Sequence, residues 1–180
     1  MAQKQRLGSL GPVTISGVVE PATPQPLLRY AEISDLAAVA AMHQRCSPAS
    51  RYRRYMSGVA IPSHRHLTSL IAPRYGYAVV AETSDGQLVA LANLMWNGTS
   101  AEIALLVEDA WQRHGLGSAL LRRLLLLGER IGIREILLHT HPDNVGLIRV
   151  VNRLGLPVRR RYADGVLTLK VAVLIGATAG

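Results

Sequence analysis

Phenylalanine is absent from this 180-residue sequence, and cysteine and lysine are nearly absent. Leucine, valine, isoleucine and alanine must therefore fill the core. The single cysteine, Cys46, excludes an internal disulfide and any zinc site built from several cysteines. No apolar segment is long enough to span a membrane, and residues 1–14 lack the apolar segment of a signal peptide. We therefore expect a cytoplasmic protein with no membrane partner.

Positive charge is the second compositional feature. The formal net charge is +8, and only Lys4 and Lys170 among the 20 basic residues are lysines. A basic protein can bind nucleic acid, an acidic protein or a polyphosphate cofactor. Aromatic residues make up only 4% of the chain, which is low for a protein that stacks on bases. We therefore expect no nucleic-acid partner.

The pattern of apolar residues predicts one α/β (α+β) domain with a single mixed, mostly antiparallel central sheet flanked by helices. Residues 1–26 have little periodicity and are interpreted as a flexible arm, and residues 27–176 as the folded domain. Asp85-Gly86 and the segment 163–165 (ADG) predict hairpin turns. The predicted elements are a strand at 27–33, a helix capped by Ser34 or Asp35 and ending near 44, a helix at 47–56 capped by Ser47, a helix at 63–71, strands at 75–83, 87–96 and 100–107, a helix at 115–131, a strand at 134–140, a helix at 143–155, and strands at 158–162 and 166–174. In the helix at 115–131, one face is apolar and carries Leu116, Leu120, Leu124, Leu127 and Ile131.

A glycine motif, QRHGLG at residues 112–117, joins the strand 100–107 to the longest predicted helix. Backbone N–H groups at a helix start converge on an anion, and glycines allow a phosphate to approach closely. A Walker A loop is excluded because no lysine follows Gly117. The dinucleotide fingerprint fits poorly because Leu120 occupies its third small position. The motif matches Q/R-x-x-G-x-G/A and suits a pyrophosphate; a loop that only caps the helix is the alternative.

The segment AEIALLVEDAWQRHGLGSALLRRL, residues 101–124, resembles the acetyl-CoA-binding core of the GNAT superfamily of N-acetyltransferases. The segment HPDNVGLIRVVNRLGL, residues 141–156, is similar to a later part of that family, and the element order resembles its fold over roughly residues 27–174. Two segments, SPASRYRRY at residues 47–55 and AEIALLVEDAWQRHGLGSALL at residues 101–121, resemble more narrowly the GNAT domains of bacterial protein-lysine acetyltransferases. The resemblance implies direct acetyl transfer from acetyl-CoA to a primary amine, with a protein lysine as the leading acceptor. It also implies that the chain can form a homodimer.

The resemblance further implies a set of residues that bind acetyl-CoA. Backbone groups of Leu105 and Val107 would pair with the pantetheine arm. Backbone N–H groups from Gln112 to Ser118 would hold the pyrophosphate, and Arg113 would add a phosphate contact. Asn144 would face the pantetheine or thioester end of the cofactor, or cap the helix at 143–155. The complete set is Leu105, Val107, Gln112, Arg113, His114, Gly115, Leu116, Gly117, Ser118 and Asn144.

Glu102 is the candidate general base. It shares a strand face with Ala104 and Leu106, where a carboxylate is costly to bury unless it is paired or functional. The lysine acetyltransferase domains that the chain resembles have a glutamate general base at this place. A lysine ammonium, with a pKa of about 10.4, must lose a proton before it attacks a thioester. A structural salt bridge to an arginine is the alternative role of Glu102.

One position departs from the family pattern. Many GNAT enzymes have a tyrosine general acid where this chain has Val151. Water, Tyr162 or another tyrosine would then protonate the departing thiolate. The group Arg51, Arg53, Arg54, His64 and His66 lies where the family's acceptor groove forms, although a solvated helix face is the favoured explanation of these residues.

Other interpretations of the sequence remain open. His139 and His141 share a strand face, but no third ligand is evident, so no metal is expected. Cys46 has no recognisable histidine partner as a nucleophile. The acceptor could instead be a small amine such as a polyamine, an amino acid or an aminoglycoside. The chain could also be a non-catalytic acyl-CoA sensor, or a basic nucleic-acid-binding protein.

Overall fold

A seven-stranded sheet organises the computed structural model of the chain, which describes residues 25–58, 61–96, 98 and 100–173. The strands lie in the order β1-β2-β3-β4-β5-β7-β6. Only the β4–β5 pair is parallel, and the other neighbours are antiparallel. The prediction of a mixed, mostly antiparallel sheet is therefore confirmed. The strands are β1 (Leu27–Tyr30), β2 (Gly76–Glu82), β3 (Leu88–Trp96), β4 (Ser100–Val107), β5 (Glu135–Thr140), β6 (Val158–Ala163) and β7 (Val166–Ala172).

Within the described ranges, five α-helices cover the sheet, and their order follows the sequence-based prediction. They are α1 (Leu36–Arg45), α2 (Pro48–Tyr55), α3 (His64–Ile71), α4 (Leu116–Arg130) and α5 (Val145–Asn152), with short 3₁₀ turns at Ile33–Asp35 and Asp109–Trp111. In the part of the chain that the structure describes, no helix has the length and apolarity to cross a membrane. The predicted limits of the terminal arm and the domain, 1–26 and 27–176, fall mostly or partly outside the described residues.

Helices α4 and α5 pack on one face of the sheet. Helix α4 carries a stripe of leucines at helical spacing that faces the sheet. Leu116, Leu120, Leu124 and Leu127 are buried there, as the sequence predicted. They pack with Ile103 of β4 and with apolar residues of β2, β3, β5 and β7. A fully buried leucine contributes about 1.5–3 kcal/mol relative to an exposed one. This stripe therefore fixes the start of α4 at the end of β4.

Helices α1 and α3 form a second core on the opposite face. Val39 and Met42 of α1 and Leu67 and Leu70 of α3 pack there against Leu91, Leu106 and other residues of β2 to β4. The two cores lie on either side of the same strands because side chains alternate between the faces of a strand. Odd-numbered residues of β4 therefore face α4, whereas Leu106 and the other even-numbered residues face α1 to α3.

The predicted turns and most of the predicted caps are confirmed. Gly86 (φ 82°) lies in the β2–β3 turn, and Asp164 and Gly165 (φ 50° and 78°) form the β6–β7 turn. The Ser47 side chain caps α2 by accepting a hydrogen bond from the Ser50 N–H at 3.1 Å. The predicted side-chain cap at Ser34 or Asp35 is wrong. The Asp35 carboxylate accepts hydrogen bonds from the Arg29 guanidinium and the Glu32 N–H instead, so it is unavailable to α1.

We expect Gly76→Ala to destabilise the fold strongly. A Cβ at residue 76 would lie 2.5 Å from the backbone oxygen of Leu94, which cannot move without disturbing β3. Overpacking of this kind costs about 1–3 kcal/mol. Gly58→Ala is the matched control, because a Cβ there meets nothing within 4 Å. Urea unfolding of both variants checks the prediction, and equal free energies of unfolding would contradict it.

Candidate active site

The parallel strands β4 and β5 separate partway along their length. Their register covers three pairs, from Ser100–Glu135 to Glu102–Leu137. Beyond that point β4 continues to Val107, paired with β3, and β5 continues to Thr140, paired with β7. Each strand is thus held on its outer side while a gap opens between them. Glu102 lies at the point where the gap begins.

The backbone of β4 turns alternate residues toward this gap. The Glu108 N–H donates to the Val89 oxygen of β3 at 2.9 Å. Because hydrogen-bonding direction alternates along a strand, the backbone groups of Ile103, Leu105 and Val107 face away from β3 and toward β5. The Val107 carbonyl accepts a hydrogen bond from the Gln112 side-chain amide at 3.0 Å. The gap is therefore lined by strand backbone of the kind predicted for Leu105 and Val107.

Helix α4 begins at the open end of the gap. Its N-cap, Gly115, has a φ of 83° and no side-chain cap. The first intrahelical hydrogen bond runs from the Ala119 N–H to the Gly115 oxygen, so the N–H groups of Leu116, Gly117 and Ser118 have no intrahelical acceptor. Added Cβ atoms at Gly115 and Gly117 would meet nothing within 4 Å. This helix start is open enough to receive an anion.

The other residues of the glycine motif have separate roles. Arg113 (φ 65°) and His114 are exposed beside the helix start, where each can add positive charge. The Gln112 backbone N–H donates to the Asp109 oxygen at 3.3 Å, so it already has an acceptor. The Gln112 side chain bridges Val107 and Ser50 Oγ. Gln112 therefore ties the loop to β4 and α2.

Asp109 fixes helix α2 against the loop that follows β4. Its carboxylate accepts hydrogen bonds from the Ser47 N–H at 2.7 Å and from the Ser47 and Ser50 hydroxyls at 2.8 Å. Burial alone would raise the pKa of Asp109, but these hydrogen bonds outweigh it and lower the pKa. A salt bridge of 3.0 Å joins Arg45 of α1 to Glu108 in the same segment. Helix α2 is thus held beside the gap.

A cavity of about 530 Å³ opens between α2, α3 and the sheet. Glu102 and Ala104 of β4 lie in its wall, as does His139 of β5. The half-buried Glu102 therefore faces the cavity from the point where the strands separate. The helices and adjoining segments supply Arg54, Tyr55, Met56, His66, Ser69, Leu70, Pro73, Arg74 and Tyr75, and β3 supplies Met95 and Trp96.

Arg54 is held in the cavity wall by Asn93, a residue that the sequence analysis did not identify. The guanidinium donates to Asn93 Oδ1 at 2.9 Å and lies 5.1 Å from the Tyr55 ring centre. Asn93 is fully buried and also donates to the Leu70 oxygen at 2.7 Å. Burial lowers the pKa of Arg54, and the charge of Glu102 opposes that effect. A lone amide within the apolar stretch Leu88–Trp96 was the available sequence signal.

Tyr55, also in the wall, is anchored by a buried histidine. His43 Nδ1 lies 2.7 Å from the Val39 oxygen, and its Nε2 lies 2.6 Å from the Tyr55 hydroxyl. A carbonyl only accepts, so Nδ1 carries the proton and Nε2 accepts from the Tyr55 O–H. Burial lowers the pKa of His43 and raises the pKa of Tyr55. This pair keeps the Tyr55 ring in the cavity wall.

The basic cluster of the sequence separates in the structure. Arg54 and His66 line the cavity, whereas Arg51 donates to the backbone oxygens of His43 and Cys46 at the end of α1. Arg53 and His64 are exposed. The cluster therefore divides into two residues that line the cavity, one that binds the end of α1 and two that are exposed.

Asn144 and Val151 have structural roles. Asn144 Oδ1 accepts from the Leu147 N–H at 3.2 Å, which caps α5, and its amide donates to Thr140 Oγ1 at 2.9 Å. The capping role is confirmed, and both ends of this side chain are engaged. Val151 is buried in the core beside α4. Tyr162 lies on β6, 66% exposed, outside the set of residues that line the cavity.

The histidines of β5 and the single cysteine have ordinary surroundings. His139 Nδ1 lies 3.0 Å from Thr168 Oγ1, and His141 Nδ1 lies 3.0 Å from Asp143 Oδ1. No group of three or more potential metal ligands occurs among the described residues. Burial raises the pKa of Cys46 to about 12, so its thiol stays protonated at neutral pH.

Comparisons with known proteins agree with this geometry. A sequence profile of the acetyltransferase (GNAT) family matches residues 36–156. Acetyltransferase Pat from Mycolicibacterium smegmatis is 30% identical over 110 residues, 58% of this chain, and the chain spans about a third (33%) of that relative. The GNAT domain of S. lividans PAT superposes with a TM-score of 0.76 at 23% identity, covering 82% of this chain and 90% of that one.

A third comparison concerns a structure with a bound ligand. The acetyltransferase YncA of Salmonella typhimurium, described as putative and solved with its cofactor acetyl-CoA, superposes with a TM-score of 0.66 at 20% identity. The match covers 85% of this chain and 95% of that one. These structural likenesses establish a shared fold.

We expect acidification to destabilise the protein through His43. Because burial lowers its folded-state pKa below the unfolded value of about 6.5, the unfolded state binds more protons in mildly acidic solution. The His43 contribution is complete above the unfolded-state pKa and is lost as pH falls from there through the folded-state pKa. Thermal unfolding from pH 7.5 to pH 5 should show a smaller pH dependence in His43→Gln. His64→Gln, at an exposed position, should retain the full dependence, and an unchanged slope in His43→Gln would refute the assignment.

Proposed function

The chain belongs to the acetyltransferase (GNAT) family, and we propose that it transfers an acetyl group from acetyl-CoA to the side-chain amine of a protein lysine. The observation that carries this proposal is the separation of β4 and β5 at Glu102, next to an open helix start at Gly115–Ser118. The first feature suits an extended arm and the second suits a pyrophosphate. Glu102 faces the cavity from which an acceptor amine would arrive.

The chain's own groups fit acetyl-CoA in two places. Backbone groups of Leu105 and Val107 face the gap, where an extended pantetheine arm with two amides would form hydrogen bonds like an added strand. The N–H groups of Leu116, Gly117 and Ser118 would hold the pyrophosphate, with Arg113 and His114 adding positive charge. Acetyl-CoA in the Salmonella structure of the same fold supports this assignment.

Glu102 supplies the proton-accepting step of the proposed reaction. Acetyl-CoA, when bound, supplies an activated acyl thioester. The Glu102 carboxylate accepts a proton from the incoming ammonium, directly or through one water, which frees the amine lone pair for attack. Ala104, next on the same face, leaves room for the acceptor carbon chain. Backbone N–H groups along the gap are the donors that would stabilise developing negative charge.

Protonation of the leaving thiolate does not need an acidic side chain at the position that Val151 occupies in α5. Val151 is buried within the core and has no acidic group, and Tyr162 lies outside the cavity lining. A thiol with a pKa of about 8.5 is a good leaving group at neutral pH, so solvent can supply the proton.

The choice of a protein lysine as acceptor is supported by the similarity to Acetyltransferase Pat and by the resemblance of SPASRYRRY to protein-lysine acetyltransferases.

Glu102→Gln should remove turnover but keep cofactor binding. We expect the rate of thiol release with lysine-containing protein acceptors to fall by about 10²- to 10⁴-fold. The Kd for acetyl-CoA, measured by titration calorimetry, should stay unchanged. Asp164→Asn, which removes a carboxylate from an exposed turn, is the control and should retain full activity.

Three outcomes would contradict parts of this proposal. Full activity of Glu102→Gln would exclude the base role. Acetyl-CoA binding without turnover on any amine would identify a sensor, and turnover on small amines alone would replace the proposed acceptor class.

Gly117→Ala should weaken acetyl-CoA binding without harming the fold. A methyl group at residue 117 meets no protein atom within 4 Å, and alanine favours the helix. It would occupy space that the pyrophosphate needs. Loss of one hydrogen bond to a charged group costs about 1.5–3 kcal/mol, or roughly 10- to 100-fold in Kd. Calorimetry combined with thermal unfolding checks both parts, with Gly58→Ala as the control; unchanged affinity would place the pyrophosphate elsewhere.

A further inference from the structure

An open, basic surface lies next to the cavity on the sheet face that carries α1 to α3. The registers place Thr168 opposite His139 and Lys170 opposite Leu137, and they place Arg161 and Arg159 opposite Thr168 and Lys170. Cross-strand partners share a face. We call this surface of β5, β7 and β6 the basic face, defined by His139, Arg159, Arg161, Thr168 and Lys170.

The basic face is continuous with the cavity. His139 lines the cavity, and its ring nitrogen lies 3.0 Å from Thr168 Oγ1 on the neighbouring strand. Arg54 and Arg74 add two further cations to the cavity wall. A chain segment whose lysine enters the cavity can therefore leave it across the basic face.

Positive charge exceeds negative charge along the cavity wall and the basic face. Arg54, Arg74, Arg159, Arg161 and Lys170 are permanent cations, and the carboxylates facing them are Glu102 and Glu135. Lys170 pairs with Glu135 at 2.7 Å. Within the described ranges, neither Arg159 nor Arg161 has an ion-pair partner within 4.0 Å. Their charges are therefore available to a partner.

Protection of the sheet edge explains only some of these residues. β6 is an edge strand, and charged residues there oppose pairing with another sheet. That explanation covers Arg159 and Arg161. It does not cover Arg54 and Arg74, which lie in the cavity wall away from this edge.

We propose that the basic face docks an acidic segment of the protein substrate, so that the preferred acceptor lysine has acidic residues on one side. This rests on the proposed function. Neighbouring strands lie about 4.8 Å apart, so β6 lies about 14 Å from β4, a distance that about four extended residues cover. The acidic residues therefore lie three to five positions from the lysine.

Matched peptides test this proposal. Each peptide has blocked termini and one lysine. Two peptides carry three glutamates, at positions three to five before the lysine in one and after it in the other. Two counterparts carry glutamines at the same positions. Transfer is followed by thiol release, and binding to the CoA-bound enzyme by fluorescence anisotropy of labelled peptides. One glutamate peptide should exceed its glutamine counterpart in kcat/KM by about tenfold, the order expected for three exposed ion pairs. The difference should lie mainly in KM and should diminish in 0.5 M salt.

Charge-reversed variants locate the effect. Arg159→Glu combined with Arg161→Glu should reduce the glutamate peptide to the level of the glutamine peptide and leave the KM for acetyl-CoA unchanged. Arg130→Glu combined with Arg134→Glu changes the net charge equally at two exposed positions off the basic face and should keep the preference. Thermal unfolding verifies that both pairs fold.

Several outcomes would overturn the proposal. These are equal kcat/KM for glutamate and glutamine peptides, a preference that survives charge reversal of Arg159 and Arg161, or displacement of the glutamate peptide by a DNA or RNA oligonucleotide that binds more tightly than the peptide. Preferential binding of the glutamate peptide without acetylation would support docking and refute the proposed acceptor chemistry. The two failures are therefore distinguishable.

Discussion

The separation of β4 from β5 is the constraint on which the rest of the structure depends. A sheet that opens in its middle exposes backbone groups that need hydrogen-bond partners. Here each strand stays straight because its outer neighbour holds it, β3 for β4 and β7 for β5. One inner group, the Val107 carbonyl, is satisfied by the Gln112 side chain. The gap is therefore a stable part of the fold and a place where an extended ligand can complete the sheet.

Packing and side-chain hydrogen bonds connect the features around the gap. The leucine stripe of α4 fixes the helix start at the open end of the gap, and Gln112 ties the loop before it to Val107 and Ser50. Asp109 in the same loop holds the start of α2, whose far end carries Arg54 and Tyr55 into the cavity wall. One loop thus sets the positions of the proposed pyrophosphate site and the proposed acceptor cavity together.

Local sequence patterns were enough to predict the helices, strands and turns. The features that they did not predict depend on contacts between residues that are far apart in the sequence. Leucine spacing, the Ser47 cap and the two hairpin turns depend on neighbours in sequence, so they could be predicted. The Asp35 cap failed because Arg29 competes for that carboxylate. Asn93 with Arg54, and His43 with Tyr55, meet only after folding. The point where β4 and β5 separate is also hidden, since the apolar run from Ile103 to Val107 continues unbroken past it.

In the proposed reaction, the positive charge of the cavity wall would also act on the acceptor amine. An ammonium group near Arg54 and Arg74 is disfavoured relative to the neutral amine, because like charges favour the uncharged form. In the proposed reaction, these two arginines of the cavity wall would therefore help the acceptor amine to lose its proton. Glu102 then needs only to receive that proton at close range. This combination would let an acceptor amine react at neutral pH in a cavity whose wall carries two arginines, Arg54 and Arg74, and one carboxylate, Glu102.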